Sequence, residues 1–401
     1  MKIAAWAYRN ICIGFLVLAG AALLPGCYND IASPFQAVVI AWDPNQQLYE
    51  MAQVQLATLT SARDMQGSSG DVSAGGTVRI YNRDAQAAGA SVASLRQKAI
   101  VGQPSPVNVE LNTANGLVYP EDYSALELLS FYAALEKSRA EIGTWGFSNL
   151  APSPIVAHAD IKNEAGLSPL AEGEMFCEPL NMYFLPQPSS QQELPPQLNL
   201  GAVAHAVGLE AWQQIVWSGA PVDPAYAIGA NDPDALAAIH VAQSVRMGLA
   251  DFLGALLTED PRWFDHSLPQ TAGARALDQL RCGSSAMLDA LTISDAEVPY
   301  DPYPLGTVIA YALWDSANNA DPTEVAETVI ASLPGIAAAQ SGNGGKLGLA
   351  AALDAIVATG PSARTQGVIC GEFLDHLRAL SVSDLPTCDN VGVIAPPEAC
   401  E

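Results

Sequence analysis

The first part of the chain carries short apolar runs rich in β-branched residues. The runs QAVVIAW, VQLATLT, GTVRIYN and VNVEL, between residues 36 and 111, are bounded by glycine, proline, asparagine or aspartate. This pattern is typical of strands joined by turns. We therefore predict a β-rich N-terminal region over residues 37–118, in which the segment MQGSSGDVSAGG is a hairpin tip or a loop.

Beyond Pro120 the apolar residues recur at helical spacing. YSALELLSFYAALEKSRAEIG places apolar residues every three to four positions and ends at a glycine. Residues 150–198 are rich in proline and are predicted to be mostly loops. Further helices are predicted at 201–217, 234–258, 304–319, 322–333, 346–358 and 364–380. The whole pattern indicates an α+β protein in which a mostly helical domain occupies residues 119–401.

The N-terminus has the features of an export signal. Lys2 and Arg9 precede the apolar run ICIGFLVLAGAALL, and the tetrapeptide LPGC, which ends at Cys27, resembles a bacterial lipobox. We expect residues 1–26 to be a signal peptide, Cys27 to carry lipid, and residues 27–36 to tether the protein to a membrane of the bacterial cell envelope. An ordinary cleaved signal or an anchor helix is the alternative, although the apolar run is short for a membrane span.

The charge balance limits the possible partners. The chain has 42 acidic and 17 basic residues and a formal net charge of −25. Coulomb repulsion opposes binding of such a surface to nucleic acid or to anionic lipid. We therefore expect no nucleic-acid partner, and membrane attachment only through the lipid on Cys27.

Five cysteines remain beyond the lipobox, and in an oxidising compartment they are expected to form disulfides. They are Cys177, Cys282, Cys370, Cys388 and Cys400. Because five is odd, at most two bridges form and one thiol stays free. A bridge between Cys370 and Cys388 is the pairing that we favour, since it would pin the C-terminal tail. No CxxC motif or Cys/His cluster along the sequence indicates a metal site.

The segment GAVAHAVGLEAW is similar to the zinc-binding helix of metallopeptidases. In the H-E-x-x-H motif two histidines one turn apart bind zinc, and the glutamate accepts the proton of the attacking water. His205 occupies the first histidine position. Ala206 stands at the glutamate position and Leu209 at the second histidine position.

Two later segments strengthen this resemblance and have the same order as in gluzincin peptidases of the thermolysin and fungalysin type. HVAQSVRMGLADFLGALLTEDPRWF resembles the helix with the third zinc ligand, where Asp251 matches and Met247 replaces the ligating glutamate. DPYPLGTVIAYALWD resembles a later helix, where Tyr303 replaces the histidine that stabilises the oxyanion. FYAALEKSRAEIGTWGF and MYFLPQ resemble the preceding helix and an edge strand.

The resemblance implies a gluzincin-like fold but not the family's chemistry. A gluzincin site needs three protein ligands, a general base and an oxyanion donor, and His205 alone is retained. Alanine and leucine offer no ligand atom, and methionine is too soft a ligand for this zinc site. We therefore expect no bound zinc and no catalytic residue. In the family the aspartate at position 251 hydrogen-bonds the first zinc histidine, so Asp251 is expected to hydrogen-bond His205.

The sequence thus predicts a lipid-anchored, catalytically inactive metallopeptidase-like protein with a binding or structural role in the cell envelope. The former active-site cleft is expected to bind a peptide, another envelope protein, or nothing. Two alternatives remain at this point. One is an active zinc-dependent peptidase with non-standard ligands, and the other is an unrelated helical binding lipoprotein.

Overall fold

The computed structural model describes residues 31, 33–81, 90–164, 174–186, 193–220, 223, 232–268, 273–292, 300–389, 391–396 and 400. Strands dominate the N-terminal portion and helices the C-terminal part, so the protein is α+β, as the pattern predicts. Residues 1–30, which include the predicted signal peptide and Cys27, lie outside the described residues. Among the helices that are described, none combines the length and apolarity needed to cross a membrane.

Within the described residues the strands form four sheets. The strands are β1 Phe35–Asp43, β2 Leu48–Leu56, β3 Leu59–Ser61, β4 Gln66–Gly67, β5 Val72–Ala74, β6 Thr77–Tyr81, β7 Ile100–Gly102, β8 Ser105–Pro106, β9 Leu111–Ala114, β10 Leu117–Pro120, β11 Ile155–Ala157, β12 Asp160–Glu164, β13 Phe176–Cys177 and β14 Met182–Leu185. Their orders are β2-β1-β10-β9, β13-β14-β11-β5-β8, β12-β6-β7 and β3-β4. The β1–β2 hairpin is antiparallel from Phe35 opposite Leu56 to Asp43 opposite Leu48.

Several strands occur where loops were predicted. Strands β11 to β14 lie within residues 150–198, and β4 and β5 lie within MQGSSGDVSAGG. These strands are two to five residues long, too short to show a period in the sequence. They gain their backbone partners from distant segments: β11 pairs in parallel with both β5 and β14.

The segment MYFLPQ does not form an edge strand. Its strand β14 pairs with β11 on one side and with β13 on the other. Tyr183 lies opposite both Ile155 and Phe176, and the Phe184 N–H donates to the Met175 carbonyl at 2.7 Å. The chain itself therefore occupies the edge that an added peptide strand would use.

Most of the helices are close to their predicted positions, but the helices at Val92–Ala99, within the region predicted to be β-rich, and at Ser285–Leu291 were not predicted. The helices are α1 Val92–Ala99, α2 Tyr123–Thr144, α3 Leu200–Ile215, α4 Pro233–Thr258, α5 Ser285–Leu291, α6 Tyr303–Asn319, α7 Pro322–Gly342, α8 Leu349–Thr359 and α9 Ala363–His376. Side chains of Asp122, Asn199, Asp232, Asp321 and Ser362 accept backbone N–H groups at the starts of α2, α3, α4, α7 and α9. Such caps satisfy donors that have no partner within the helix.

Helix α7 is longer than predicted. The prediction ended it at residue 333, before Pro334, but it continues to Gly342. A proline removes one backbone donor, and tertiary packing can offset that loss. Here the side chains of Ile336 and Gln340, beyond the proline, are buried.

Glycines let the central helices approach closely. A Cβ at Gly248 of α4 would lie 2.6 Å from the Gly306 carbonyl oxygen of α6, and a Cβ at Gly208 of α3 would lie 3.1 Å from the Cα of Ala250. Backbone atoms cannot yield to such contacts as a flexible side chain would. Helix α4 is therefore held against α3 and α6, and these two crossings position the site described below.

The β-rich and helical portions share a main core. One cluster of buried side chains includes Val39 and Leu135 as well as Val207, Ile309 and Leu353. The predicted boundary between residues 118 and 119 is therefore crossed by continuous apolar packing.

Two disulfides close the C-terminal part. Cys370 pairs with Cys388, which confirms the predicted bridge, and Cys282 pairs with Cys400. Cys177 is free and buried. The count of two bridges and one thiol is the one that the odd number of cysteines allows.

Candidate functional site

His205 and Asp251 meet where α3 crosses α4. The His205 Nδ1 lies 2.8 Å from the Asp251 Oδ1, and the two residues are 3 % and 1 % exposed. The predicted contact between the two helices is present. It is a close polar contact and not an aligned hydrogen bond, because among the described residues neither ring nitrogen of His205 has a partner in hydrogen-bond geometry.

Arg275 is the main partner of Asp251. Its Nε donates to the Asp251 Oδ2 at 3.1 Å and its Nη2 donates to the Oδ1. The guanidinium carbon lies 3.6 Å from the ring centroid of Phe264 and 4.0 Å from that of Tyr303. Burial by itself would raise the pKa of Asp251, but Arg275 and His205 hold this pKa below its ordinary value of 3.8. The pair is therefore charged, buried and enclosed by aromatic rings.

Tyr303 extends the cluster to a second acid. Its hydroxyl donates to the Glu174 Oε1 at 2.5 Å. Burial raises the pKa of the Glu174 carboxyl, and the hydrogen bond from Tyr303 opposes this shift. Burial also raises the pKa of Tyr303 far above its usual range, so the phenol keeps its proton and remains the donor. Tyr303 thus lies over Arg275 and binds Glu174, and both contacts hold it in place.

A second buried ion pair lies beside the first. The Arg246 Nη1 of α4 donates to the Glu178 Oε2, and the guanidinium carbon lies 5.4 Å from the centroid of the Trp217 ring. Arg246 is 7 % exposed. A buried guanidinium needs such a partner, because an unpaired charge in the core costs several kcal/mol.

Three of the positions that the resemblance assigns to the site lie in one cluster. His205 contacts Asp251, and Arg275 binds Asp251 and lies over the Tyr303 ring. The Cβ of Met247 packs against α6, 3.3 Å from where a Cβ of Gly306 would lie.

The remaining two positions contribute packing and no chemistry. Ala206 and Leu209 are buried in the main core, at 0 % and 1 % exposure.

These residues do not fit a zinc ion. Only His205 could offer an imidazole, and its Nδ1 faces Asp251, which is itself held by Arg275. The nearby acids are held by other groups: Glu174 by Tyr303 and Glu178 by Arg246. Zinc needs three or four ligand atoms converging on one point, and positions 206, 209 and 247 supply none.

The sequence did not single out three members of this cluster. Glu174, Glu178 and Arg275 lie outside any recognisable motif. Arg246, a charged residue inside an apolar helix, could have indicated a buried ion pair, since buried charges are almost always paired.

The residues of this site form one cluster of paired charges. Its members come from α3, α4, α6 and the loops that contact them, and every charged group in it has an oppositely charged or hydrogen-bonding partner. No family model matches the chain, and no curated protein matches it.

Proposed function

We propose that the protein is a lipid-anchored, non-catalytic relative of gluzincin metallopeptidases, whose former active site is now a structural ion-pair core and whose role in the cell envelope is binding or structural. The observation that carries this proposal is the pairing of Asp251 with Arg275 beneath Tyr303. Arg275 supplies a permanent positive charge next to the His205–Asp251 pair, where the peptidases rely on a metal ion.

Burial of the old site also restricts what it can bind. His205, Asp251 and Met247 are each no more than 3 % exposed. A peptide or envelope protein at this face would contact the partly buried members, Tyr303 and Glu174, and not the positions that once held metal. Because β13 already pairs with β14, a peptide strand cannot add to β14 itself.

Restoring the lost ligands tests both the resemblance and the absence of catalysis. The triple variant Ala206→Glu, Leu209→His, Met247→Glu is expected to bind about one zinc ion per chain more than the unmodified protein, since three ligands suffice for an open zinc site. Zinc is measured by elemental analysis on the full chain, with hydrolysis of a fluorogenic peptide measured in parallel.

The matched control carries the same three substitutions plus His205→Gln. It has a similar polarity but lacks one ligand, so it should retain no more zinc than the unmodified protein. A folded triple variant that binds no more zinc than the unmodified protein would mean that the proposed helix register is wrong and that the protein is an unrelated helical lipoprotein. Peptide hydrolysis by the unmodified protein, lost on His205→Gln, would show an active peptidase instead.

The lipid anchor is tested by cell fractionation. The protein is expected in the membrane fraction, and Cys27→Ser is expected to abolish incorporation of a labelled fatty acid, because the thiol is the attachment point. Cys12→Ser is the control and should still be lipidated. Lipid labelling that survives Cys27→Ser would contradict the assignment.

A further inference from the structure

A second polar cluster lies away from the former peptidase site, where α6 meets α9. Glu372 and His376 are one turn apart on the same face of α9, and Asp315 projects from α6. The His376 Nε2 lies 3.2 Å from the Glu372 Oε2 and 3.9 Å from the Asp315 Oδ2. His376 and Glu372 are buried, whereas the Asp315 side chain is 17 % exposed.

The orientation of the His376 ring is fixed. Its Nδ1 lies 2.9 Å from the carbonyl oxygen of Arg281, to which it can only donate. The ring also meets Tyr311 edge-on, with 4.9 Å between centroids. The other nitrogen, Nε2, therefore faces the two carboxylates. A backbone carbonyl that orients the opposite ring nitrogen is the usual support of a metal-binding histidine.

The two carboxylates are held by a neutral donor. The Asn319 Nδ2 lies 3.3 Å from the Glu372 Oε1 and 3.4 Å from the Asp315 Oδ1. Asn319 and His376 both meet these acids within hydrogen-bond distance, and neither is a lysine or an arginine. The nearby Arg364 donates to the backbone oxygen of Asn319 instead. Two carboxylates and an imidazole nitrogen thus converge around one point, where a positive charge is stabilised.

We propose that Asp315, Glu372 and His376 bind a divalent transition-metal ion such as Zn²⁺. Ligand atoms about 2.0–2.2 Å from a tetrahedral zinc ion are about 3.4 Å apart. The two separations measured here, 3.2 and 3.9 Å, lie on either side of that value, and all three ligand atoms are within 4.8 Å of one another. The imidazole favours a transition metal over Ca²⁺ or Mg²⁺.

The bound ion would link two helices beside a disulfide. The Cys400 Sγ, bridged to Cys282, lies 3.4 Å from the His376 Nδ1. The partial exposure of Asp315 leaves a path from the surface, through which water can complete the coordination. The site therefore serves stability, tying α6 to α9 near the C-terminus.

The test uses the full chain, stripped with a chelator and titrated with Zn²⁺, with Ca²⁺ and Mg²⁺ in parallel. We expect one Zn²⁺ per chain and a rise in Tm with Zn²⁺ only. Co²⁺ bound in place of Zn²⁺ should show the visible absorption of a tetrahedral site. This measurement needs no variant. Asp315→Asn should weaken Zn²⁺ binding at least about tenfold, since loss even of an outer-shell partner costs that much. Glu372→Gln provides a second variant if Asp315→Asn does not fold.

The control is His158→Gln. His158 Nε2 lies 3.0 Å from Glu127 Oε2, but this pair is not one of the three-ligand groups in the described part of the chain, so zinc binding should be unchanged. No zinc binding by the unmodified chain would overturn this inference and leave the proposed function intact; a proton on His376 would then bridge the acids. Zinc binding that survives Asp315→Asn but is lost on His205→Gln would overturn both.

Discussion

Replacing Asp251 with asparagine is expected to lower the free energy of unfolding by about 3–5 kcal/mol, because it leaves a buried cation without its counterion. Arg275 is 3 % exposed, and Asp251 accepts both of its guanidinium hydrogen bonds. Asparagine keeps the shape of the side chain, so lost packing contributes little. Urea denaturation of the full chain, followed by circular dichroism, measures the change.

The control for this prediction is Asp278→Asn. Asp278 makes the same type of contact, at 3.4 Å to Arg262, but both side chains are substantially exposed, so stability should hardly change. Adding Arg275→Met to Asp251→Asn should recover part of the loss, since it removes the unpaired charge. Equal, small effects for Asp251→Asn and Asp278→Asn would contradict the structural role of the ion-pair core.

The same carboxylate also predicts a dependence on pH. The pKa of Asp251 is lower in the folded protein than its ordinary value of 3.8. A group with a depressed pKa stabilises the fold above its unfolded-state pKa, and this contribution is lost as the pH falls toward the folded-state value. The stability difference between the unmodified protein and Asp251→Asn should therefore be full near neutral pH and should shrink as the pH drops below about 4.

Removing the Cys282–Cys400 bridge is also expected to lower the free energy of unfolding strongly. Its cysteines are 118 residues apart, and the chain-entropy model gives about 4.7 kcal/mol for a loop of about 100 residues. The double variant Cys282→Ala, Cys400→Ala should therefore unfold at a clearly lower temperature than the unmodified protein. Differential scanning calorimetry measures the shift.

The second disulfide provides the comparison. Cys370 and Cys388 are 18 residues apart, and the same model gives about 3 kcal/mol for a 15-residue loop. Cys370 is fully buried, so its removal adds a packing loss that narrows the expected difference. If removing the 282–400 bridge costs far less than about 4.7 kcal/mol, loop closure is not the main contribution of the longer bridge.

Local patterns in the sequence predicted most helices because a helix of ten or more residues repeats its apolar face several times. Helices α3, α4, α6, α8 and α9 were all predicted within three or four residues of their bounds. The strands β11 to β14 were missed because two to five residues cannot show a period. Pro334 misled the prediction for α7 because its local cost is offset by packing that no local pattern contains.

Within the candidate site, the sequence predicted only the contact between two residues that lie in recognisable helical motifs. His205 and Asp251 were paired through the order of helical segments. Arg275 was not, because it lies in a short segment with no repeating pattern, and its contact with Asp251 joins residues 24 apart in the chain. Glu174 likewise reaches Tyr303 across 129 residues.

The sequence by itself determined the α+β class and the acidic charge balance, and it favoured the Cys370–Cys388 bridge. The first two follow from local periodicity and from composition, whereas the positions of the cysteines leave their pairing open. Only the tertiary structure decided which cation neutralises Asp251, which donor holds Glu174, and that Asp315 lies beside Glu372 and His376. Such contacts depend on how helices cross, and the crossing is set by packing at Gly208, Gly248 and Gly306. Ion pairs and metal sites form between residues that the fold brings together, and no single stretch of sequence specifies which residues these are.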